Sequence, residues 1–261
     1  MSPFEEVQPV APGYKDFEFD LPGALLDHLV RALDGMGDAP LNSDKVQAIP
    51  EAQGVYQLFL DGELVYIGKT DAESGLHLRL TRHSRKIQHR RSLDPSRVTF
   101  KAVRIFVFTA MDLETQLIKS YEKKGQATEW NGSGFGANDH GRNRDYSTPG
   151  EFDQEFPIDI DCELGEDFSG EHKASAIAAK LKRLLPYTFR FEMQARSRTP
   201  HTELTDTEVS IPPGTSTARG VIEELVRQLP SGWQATALSA LLILYKEHED
   251  RYPQARILAR S

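Results

Sequence analysis

Two short apolar segments on either side of Asp61-Gly62 constrain the fold of this chain more than any other feature. Residues 54–60 and 63–68 contain Val, Ile, Tyr and Phe, which favour strands. An Asp-Gly pair between two such segments is a strong local signal for a β-hairpin. We therefore predict an antiparallel hairpin, followed by a third strand over residues 98–108 that is apolar on both faces and hence central.

The length of the hairpin loop decides where Tyr56 and Tyr66 point. A two-residue loop at Asp61-Gly62 places the two rings on opposite faces, because side chains alternate along a strand. A three-residue loop from Leu60 to Gly62 places them directly opposite each other on one face. We predict the three-residue loop, because glycine readily takes the left-handed conformation that its last position requires. An aromatic pair of this kind either stabilises a sheet or forms part of a site.

Helical spacing of apolar residues recurs through the rest of the chain, which predicts an α+β fold class. The predicted helices are residues 22–33, 75–91, 109–124, 172–185, 218–229 and 233–247, with a further strand over 187–192. The predicted segments are an N-terminal extension with one helix (1–50), a central module (51–196), a Ser-, Thr- and Pro-rich linker (197–217) and a C-terminal helical pair (218–261). The C-terminal helices are expected either to pack on the central module or to form a dimer.

Composition excludes several classes of protein. The single cysteine, Cys162, excludes an internal disulfide and a cysteine-based zinc site. No apolar run approaches the roughly 18 residues that a membrane span needs. The acidic N-terminus has no signal-peptide core. We therefore expect a cytoplasmic protein that does not span a membrane.

Charge is unevenly distributed along the chain. The net charge is −8, yet ten basic and only three acidic residues lie between Lys69 and Arg104. This segment carries +7 and the rest of the chain −15. A concentrated basic segment on an acidic protein indicates a surface for a polyanion, with a solvated helix face as the alternative.

Four polar residues downstream of the hairpin are candidates for chemistry. Arg79 and His83 lie four residues apart on the predicted basic helix and share one face. Glu114 lies along an apolar stripe, where a carboxylate is costly without a partner such as Mg²⁺. Asn131 follows Trp130 and precedes a glycine-rich segment.

The hairpin itself carries a resemblance to a known family. Gly54-Val-Tyr56, nine intervening residues and Tyr66-Ile-Gly68-Lys69 resemble the signature of the GIY-YIG nucleases, with Val in place of Ile in the first triplet. The resemblance implies a nuclease module built on a small, mostly antiparallel three-stranded sheet with flanking helices. It covers about residues 45–195.

The downstream residues extend this resemblance. Arg79, Glu114 and Asn131 match the remaining family positions in the same order, and His83 matches a histidine of the restriction-enzyme branch. Residues 132–144 resemble a loop of the type II restriction endonucleases that recognise CCGCGG, the NgoMIII-like group. The implied function is hydrolysis of DNA phosphodiester bonds at a short palindromic site.

The resemblance also implies a role for each residue of the site. Tyr56 is the general base toward water, and a cationic charge from Arg79, His83 or a metal stabilises its phenolate. Tyr66 orients the scissile phosphate, Arg79 acts as an electrostatic clamp on it, and His83 assists proton transfer.

The same resemblance implies a metal ligand and a supporting residue. Glu114 is the implied ligand of one divalent ion, Mg²⁺ or Mn²⁺, and Asn131 supports the site through hydrogen bonds. A single metal is expected because no second clustered carboxylate is evident in the sequence.

Further basic and amide residues are expected to contact double-stranded DNA. A palindromic site favours a homodimer, and a restriction role implies a separately encoded DNA methyltransferase in a bacterial cytoplasm. The predicted DNA contacts are Lys69, Arg82, Arg85, Lys86, Arg90, Arg91, Asn138, Arg142 and Arg144.

Two other functions remain open from the sequence. A DNA-repair or structure-specific nuclease of the same superfamily would cut branched DNA rather than a CCGCGG duplex. A non-catalytic DNA-binding protein on the same fold would bind DNA without cleavage.

Overall fold

The structure is a computed structural model that describes residues 13–14, 20–70, 73–106, 113–126, 128–137, 141–142 and 145–261. Within these ranges the chain forms eight α-helices, one short 3-10 helix (Pro95–Arg97) and ten strands. The helices are α1 (Leu21–Gly35), α2 (Ser43–Gln47), α3 (Leu76–Lys86), α4 (Leu113–Lys123), α5 (Glu151–Glu155), α6 (Ala174–Leu184), α7 (Thr202–Asp206) and α8 (Ala218–Gln228). The strands are β1 (Ala39–Pro40), β2 (Gly54–Leu60), β3 (Glu63–Thr70), β4 (Val98–Arg104), β5 (Gly170–Lys173), β6 (Thr188–Phe191), β7 (Glu208–Ile211), β8 (Gln234–Ala237), β9 (Leu241–Tyr245) and β10 (Arg256–Arg260). The chain is therefore α+β, as expected.

The first sheet contains the hairpin and has the order β1-β4-β2-β3, with antiparallel neighbours throughout. β4 lies between β1 and β2, so the interior position predicted for the third strand is confirmed, although β1 makes the sheet four-stranded. Helices α1 and α4 pack on one face of this sheet. Helix α3 packs on the other face. The predicted N-terminal extension therefore contributes α1 and β1 to the packing of the first sheet.

The hairpin has a shorter loop than we predicted. Asp61 and Gly62 both have positive φ, 53° and 84°, which is typical of a two-residue type I′ turn. A β-bulge at Val65 then shifts the register, so that Tyr56 lies opposite Gly68 and Tyr66 lies opposite Leu58. The predicted three-residue loop is wrong. The two tyrosines still share a face, because the extra bulge residue has the same effect on the alternation as an extra loop residue.

The basic helix is also shorter than predicted. Helix α3 ends at Lys86, and both His89 (φ 48°) and Ser92 (φ 62°) take the left-handed conformation. Left-handed residues end a helix because they cannot continue its hydrogen-bond ladder. The backbone of Arg91 instead donates to the carbonyl of Pro157 at 2.9 Å.

A second sheet occupies the region in which we predicted a helical pair. Its order is β10-β8-β9-β6, with β6 and β9 parallel and the other pairs antiparallel. Helix α8 confirms the first predicted helix, but the helix predicted over residues 233–247 is wrong. The run Leu241–Tyr245 is almost wholly buried because β9 lies between two strands, and such a run has no periodicity that separates a strand from a helix.

The predicted linker over residues 197–217 is folded. It contains α7 and β7, and β7 pairs antiparallel with β5. Leu204, Val209 and Ile211 are buried in the same core as α6 and α8. Ser, Thr and Pro here serve turns and helix ends, which a composition signal does not distinguish from a linker.

One hydrophobic cluster gives way to another near residue 157, whereas we predicted that the central module ends at residue 196. One cluster runs from Ile158 to Leu244, whereas the clusters on the two faces of the first sheet end at Phe156. We refer to the described residues from 20 to 157 as the N-terminal module and to residues 158–261 as the C-terminal module. None of the described helices has the length and apolarity needed to cross a bilayer.

Candidate active site

A buried tyrosine–histidine pair lies at the centre of the α3 face of the first sheet. Tyr56 on β2 is 2% exposed and His83 on α3 is 1% exposed. The Tyr56 hydroxyl and His83 Nε2 are 2.8 Å apart and hydrogen-bonded. Across the hairpin Gly68 makes room for this ring, because a Cβ at that position would collide with the Tyr56 hydroxyl. Tyr56 of the first half of the sequence signature thus packs against Gly68 of the second half.

Tyr66 completes a triangle of rings with this pair. Its ring centroid is 6.0 Å from that of Tyr56 and 5.4 Å from that of His83. Gly136 approaches the Tyr66 hydroxyl so closely that an added Cβ would lie 2.6 Å from it. The described part of the glycine-rich segment, residues 132–137, therefore forms one wall of the site rather than a free linker.

Phe135 is a contact that the sequence analysis missed. Its ring stacks on His83 with a centroid separation of 4.7 Å and an interplanar angle of 13°. It also packs against Trp130 and Phe152, each at 4.7 Å between centroids. An aromatic residue flanked by Gly134 and Gly136 is the signal that could have identified it, since two glycines let the backbone approach the site closely.

Burial keeps the titratable groups of the pair neutral. Burial and the neighbouring Tyr66 raise the pKa of Tyr56, against an opposing effect of the Arg79 charge. Burial, together with the positive charges of Arg82 and Arg79, lowers the pKa of His83 to about 3. Near pH 7 the imidazole is therefore neutral. Because desolvation disfavours a charge on His83, Arg79 or a metal suits the expected stabilisation of a phenolate better than His83 does.

Arg79 occupies the position expected for a phosphate clamp. It lies one turn before His83 on α3, and its positive charge lowers the pKa values of Tyr56 and Tyr66. Its Nε atom is buried and has no hydrogen-bond partner among the described residues. A buried N–H group without a partner costs about 1–3 kcal/mol, so an anionic ligand oxygen at this position would be strongly favoured.

Glu114 lies in the first turn of α4 and is partly buried. Its negative charge raises the pKa values of both Tyr66 and Tyr56. Across the described ranges no group of three or more His, Cys, Asp or Glu side chains is arranged to hold a metal ion. A single carboxylate still suits Mg²⁺, which is usually held by one or two carboxylates together with water and substrate phosphate.

Asn131 supports the site through the backbone of β3. Its Oδ1 accepts from the Ile67 N–H at 2.9 Å, and its Nδ2 donates to the Ile67 carbonyl at 2.8 Å. The Trp130 N–H donates to the Val65 carbonyl at 2.9 Å. Because β3 is an edge strand, its outer backbone groups have no neighbouring strand to pair with. These bonds satisfy the groups at Val65 and Ile67, the residues on either side of Tyr66. Asn131 is thus a positioning residue rather than a catalytic one.

The nine residues predicted to contact DNA differ in their exposure and in their partners. Lys69 and Arg85 are exposed, and Arg82 is partly exposed and donates to the Ala137 carbonyl. Arg142 is half-exposed, forms ion pairs with Glu192 at 2.8 Å and Glu247 at 3.4 Å, and lies over a ring of the C-terminal module. Asn138 and Arg144 lie outside the described residues.

Two of these basic residues, Arg90 and Lys86, are engaged in contacts within the protein, which corrects the prediction for them, whereas a third, Arg91, is exposed. Arg90 donates to Asp153 at 2.7 Å and to the Phe156 carbonyl at 2.9 Å, and its side chain is 3% exposed. Lys86 donates to the Gly134 carbonyl at 3.0 Å, and burial lowers its pKa to about 8. Arg91 pairs with acids of the C-terminal module. The chain turns after Lys86, so Arg90 points inward and Arg91 forms exposed ion pairs instead of continuing a basic helix face.

A scan against protein-family models and a search of the curated proteins both find no match to this chain. The functional conclusion below therefore depends on the site geometry and on the sequence resemblance.

Proposed function

We propose that this protein is a metal-dependent DNA endonuclease of the restriction type. The observation that carries the proposal is the buried hydrogen bond between Tyr56 and His83, which packs against Tyr66, a tyrosine whose pKa responds to the charges of Glu114 and Arg79. A general base, a proton acceptor, a cation and a carboxylate are the groups that phosphodiester hydrolysis needs.

The tyrosine–histidine pair offers a route for the proton of the attacking water. The Tyr56 hydroxyl accepts this proton while passing its own to His83 Nε2, 2.8 Å away. A neutral imidazole can accept a proton, and the negative charge of a bound phosphate favours the imidazolium that results. The low pKa of His83 keeps the acceptor available until DNA binds.

Arg79 and Tyr66 would hold the scissile phosphate. The buried Arg79 Nε, which lacks a partner within the described part of the chain, can donate to a phosphate oxygen. The Tyr66 hydroxyl lies beside the same ring cluster and can orient another oxygen.

Glu114 would hold Mg²⁺ or Mn²⁺ together with the substrate phosphate. A divalent ion supplies stabilisation of the negative charge that develops on the leaving oxygen. The carboxylate of Glu114 and the tyrosine hydroxyls near it are oxygen donors of the kind that such ions prefer.

The substrate is proposed from the resemblance of residues 132–144. It favours CCGCGG, and a homodimer matches the two-fold symmetry of this site. A plasmid with one CCGCGG site and the same plasmid with that site destroyed, each incubated with Mg²⁺, test the proposal directly. We expect a linear product from the first plasmid alone, and no product with Glu114→Gln.

Glu122→Gln is the matched control, because Glu122 is an exposed residue near the end of the same helix. This variant should cleave as the parent does. Cleavage of branched DNA without cleavage of the CCGCGG plasmid would favour a structure-specific nuclease. DNA binding without cleavage of a mixed-sequence genome, with either metal, would contradict an enzymatic role.

A further inference from the structure

A cleft of about 800 Å³ lies between the two modules, next to the candidate active site. One wall is the exposed stripe of α3, which includes Leu78, Arg82 and Arg85. The opposite wall belongs to the C-terminal module and consists of residues 186–190 and 238–241. The sequence resemblance assigns no role to the second wall.

The lining of this cleft is positively charged. Among the described residues it contains five basic ones, Arg82, Arg85, Lys86, Arg90 and Arg190, and two acidic ones, Asp145 and Asp153. Both acids are buried and form ion pairs, Asp145 with Arg190 and Asp153 with Arg90. The acidic charge is therefore already balanced, and the excess positive charge belongs largely to the α3 wall.

The cleft is separated from the site by the segment that runs from Gly134 to Ala137. Gly134 and Ala137 line the cleft, while Phe135 between them stacks on His83. Arg82 lines the cleft as well, and its charge lowers the pKa values of both His83 and Tyr66. A polyanion bound at the active site would thus have a positively charged cleft beside it.

We propose that the cleft holds the sugar–phosphate backbone of one DNA strand next to the scissile phosphodiester, so that the C-terminal module forms half of the DNA interface. This inference rests on the proposed function. The volume is that of a pocket for a single small molecule, which suits one strand rather than a whole duplex. Apolar side chains such as Leu78 and Leu241 between the cations suit the sugar carbons of a backbone.

Ala240 offers the sharpest test, because it lies in the turn between β8 and β9 on the C-terminal wall and is partly exposed. Ala240→Glu should weaken binding of a fluorescein-labelled CCGCGG duplex, measured by anisotropy in EDTA, by about 5–10-fold, and Ala240→Lys should strengthen it. Arg85→Ala should reduce the slope of log K against log salt by about one.

Ser231 provides the matched control, because it is exposed in the turn at the opposite end of β8. Ser231→Glu and Ser231→Lys should bind as the parent does. Opposite effects of Glu and Lys at Ala240 cannot arise from a folding defect, which would weaken binding in both variants. Equal affinities of the two Ala240 variants and the parent would overturn the inference.

Cleavage of the CCGCGG plasmid, measured on the same proteins, separates this inference from the proposed function. If the parent cleaves the plasmid and both Ala240 variants bind DNA as the parent does, the inference about the cleft is overturned and the proposed nuclease function stands. If binding changes with the charge at residue 240 but no protein cleaves the plasmid, the inference about the cleft is supported and the proposed nuclease function is overturned. A parent that neither binds nor cleaves DNA would overturn both.

Discussion

The basic segment after the hairpin contributes to two buried polar clusters that differ in how their hydrogen bonds are satisfied. The first, here the site cluster, contains Arg79 and His83, whose Nε and Nδ1 atoms have no hydrogen-bond partner within the described ranges. The second, here the bracing cluster, contains Lys86, Arg90 and Asp153, which are tied to one another and to backbone carbonyls. Because unpaired buried N–H groups are costly, the site cluster is arranged for a ligand and the bracing cluster for the fold.

The largest effect should come from removing the phenol of the site cluster. Given the proposed function, we expect Tyr56→Phe to reduce the single-turnover cleavage rate by about 10²–10⁴-fold, since proton transfer contributes on that scale. The protein should still fold, because the buried ring is retained. Tyr146→Phe is the control, since Tyr146 is an exposed tyrosine outside the site. Parental cleavage by Tyr56→Phe would contradict the assigned base.

The bracing cluster should respond in stability instead. Arg90→Met leaves the Asp153 carboxylate buried without its closest partner, so we expect a loss of about 3–5 kcal/mol in the free energy of unfolding by urea. Arg90→Met combined with Asp153→Leu should recover much of this loss, because no uncompensated charge remains. Arg227→Met, at an exposed ion pair on α8, should change the stability by less than about 1 kcal/mol. An additive double mutant would contradict the pairing.

Asn131 belongs to neither cluster, because both hydrogen bonds of its side chain are to the backbone of Ile67. Asn131→Ala leaves the Ile67 N–H and carbonyl unpaired, and we expect a loss of about 2 kcal/mol in stability. Hydrogen exchange at Ile67 should accelerate by more than that at Val55, which pairs in the sheet interior. Uniform acceleration at both amides would indicate a global effect rather than a local one.

The smallest effect is a dependence of stability on pH that comes from His83. Its pKa is about 3 in the folded state and near 6.5 when unfolded, so the unfolded state binds more protons as the pH falls. The contribution of neutral His83 is present above pH 6.5 and is lost progressively toward pH 3. Between pH 7.5 and 5.5 we expect a loss of about 1 kcal/mol. His83→Gln should lack this loss, and the exposed His172→Gln should retain it; identical slopes in all three proteins would contradict the assignment.

Local sequence patterns account for part of the geometry of the candidate site. The shared helix face of Arg79 and His83 follows from local periodicity, whereas the shared face of Tyr56 and Tyr66 depends on the bulge at Val65. Phe135 and the bracing role of Arg90 were not identified, because each depends on a contact with a residue at least 50 positions away. Such contacts leave no periodic signal in a single chain.

Local chemistry in the sequence by itself determined the hairpin at Asp61-Gly62, the helices α1, α3 and α8, and the concentration of positive charge after β3. The tertiary structure alone decided the bulge at Val65, the strands β8 and β9, and which basic side chains turn inward. The physical reason is that a turn or a helix face is set by residues a few positions apart. Register, sheet membership and burial are instead set by packing between distant segments, which decides how each apolar run and each charge is covered.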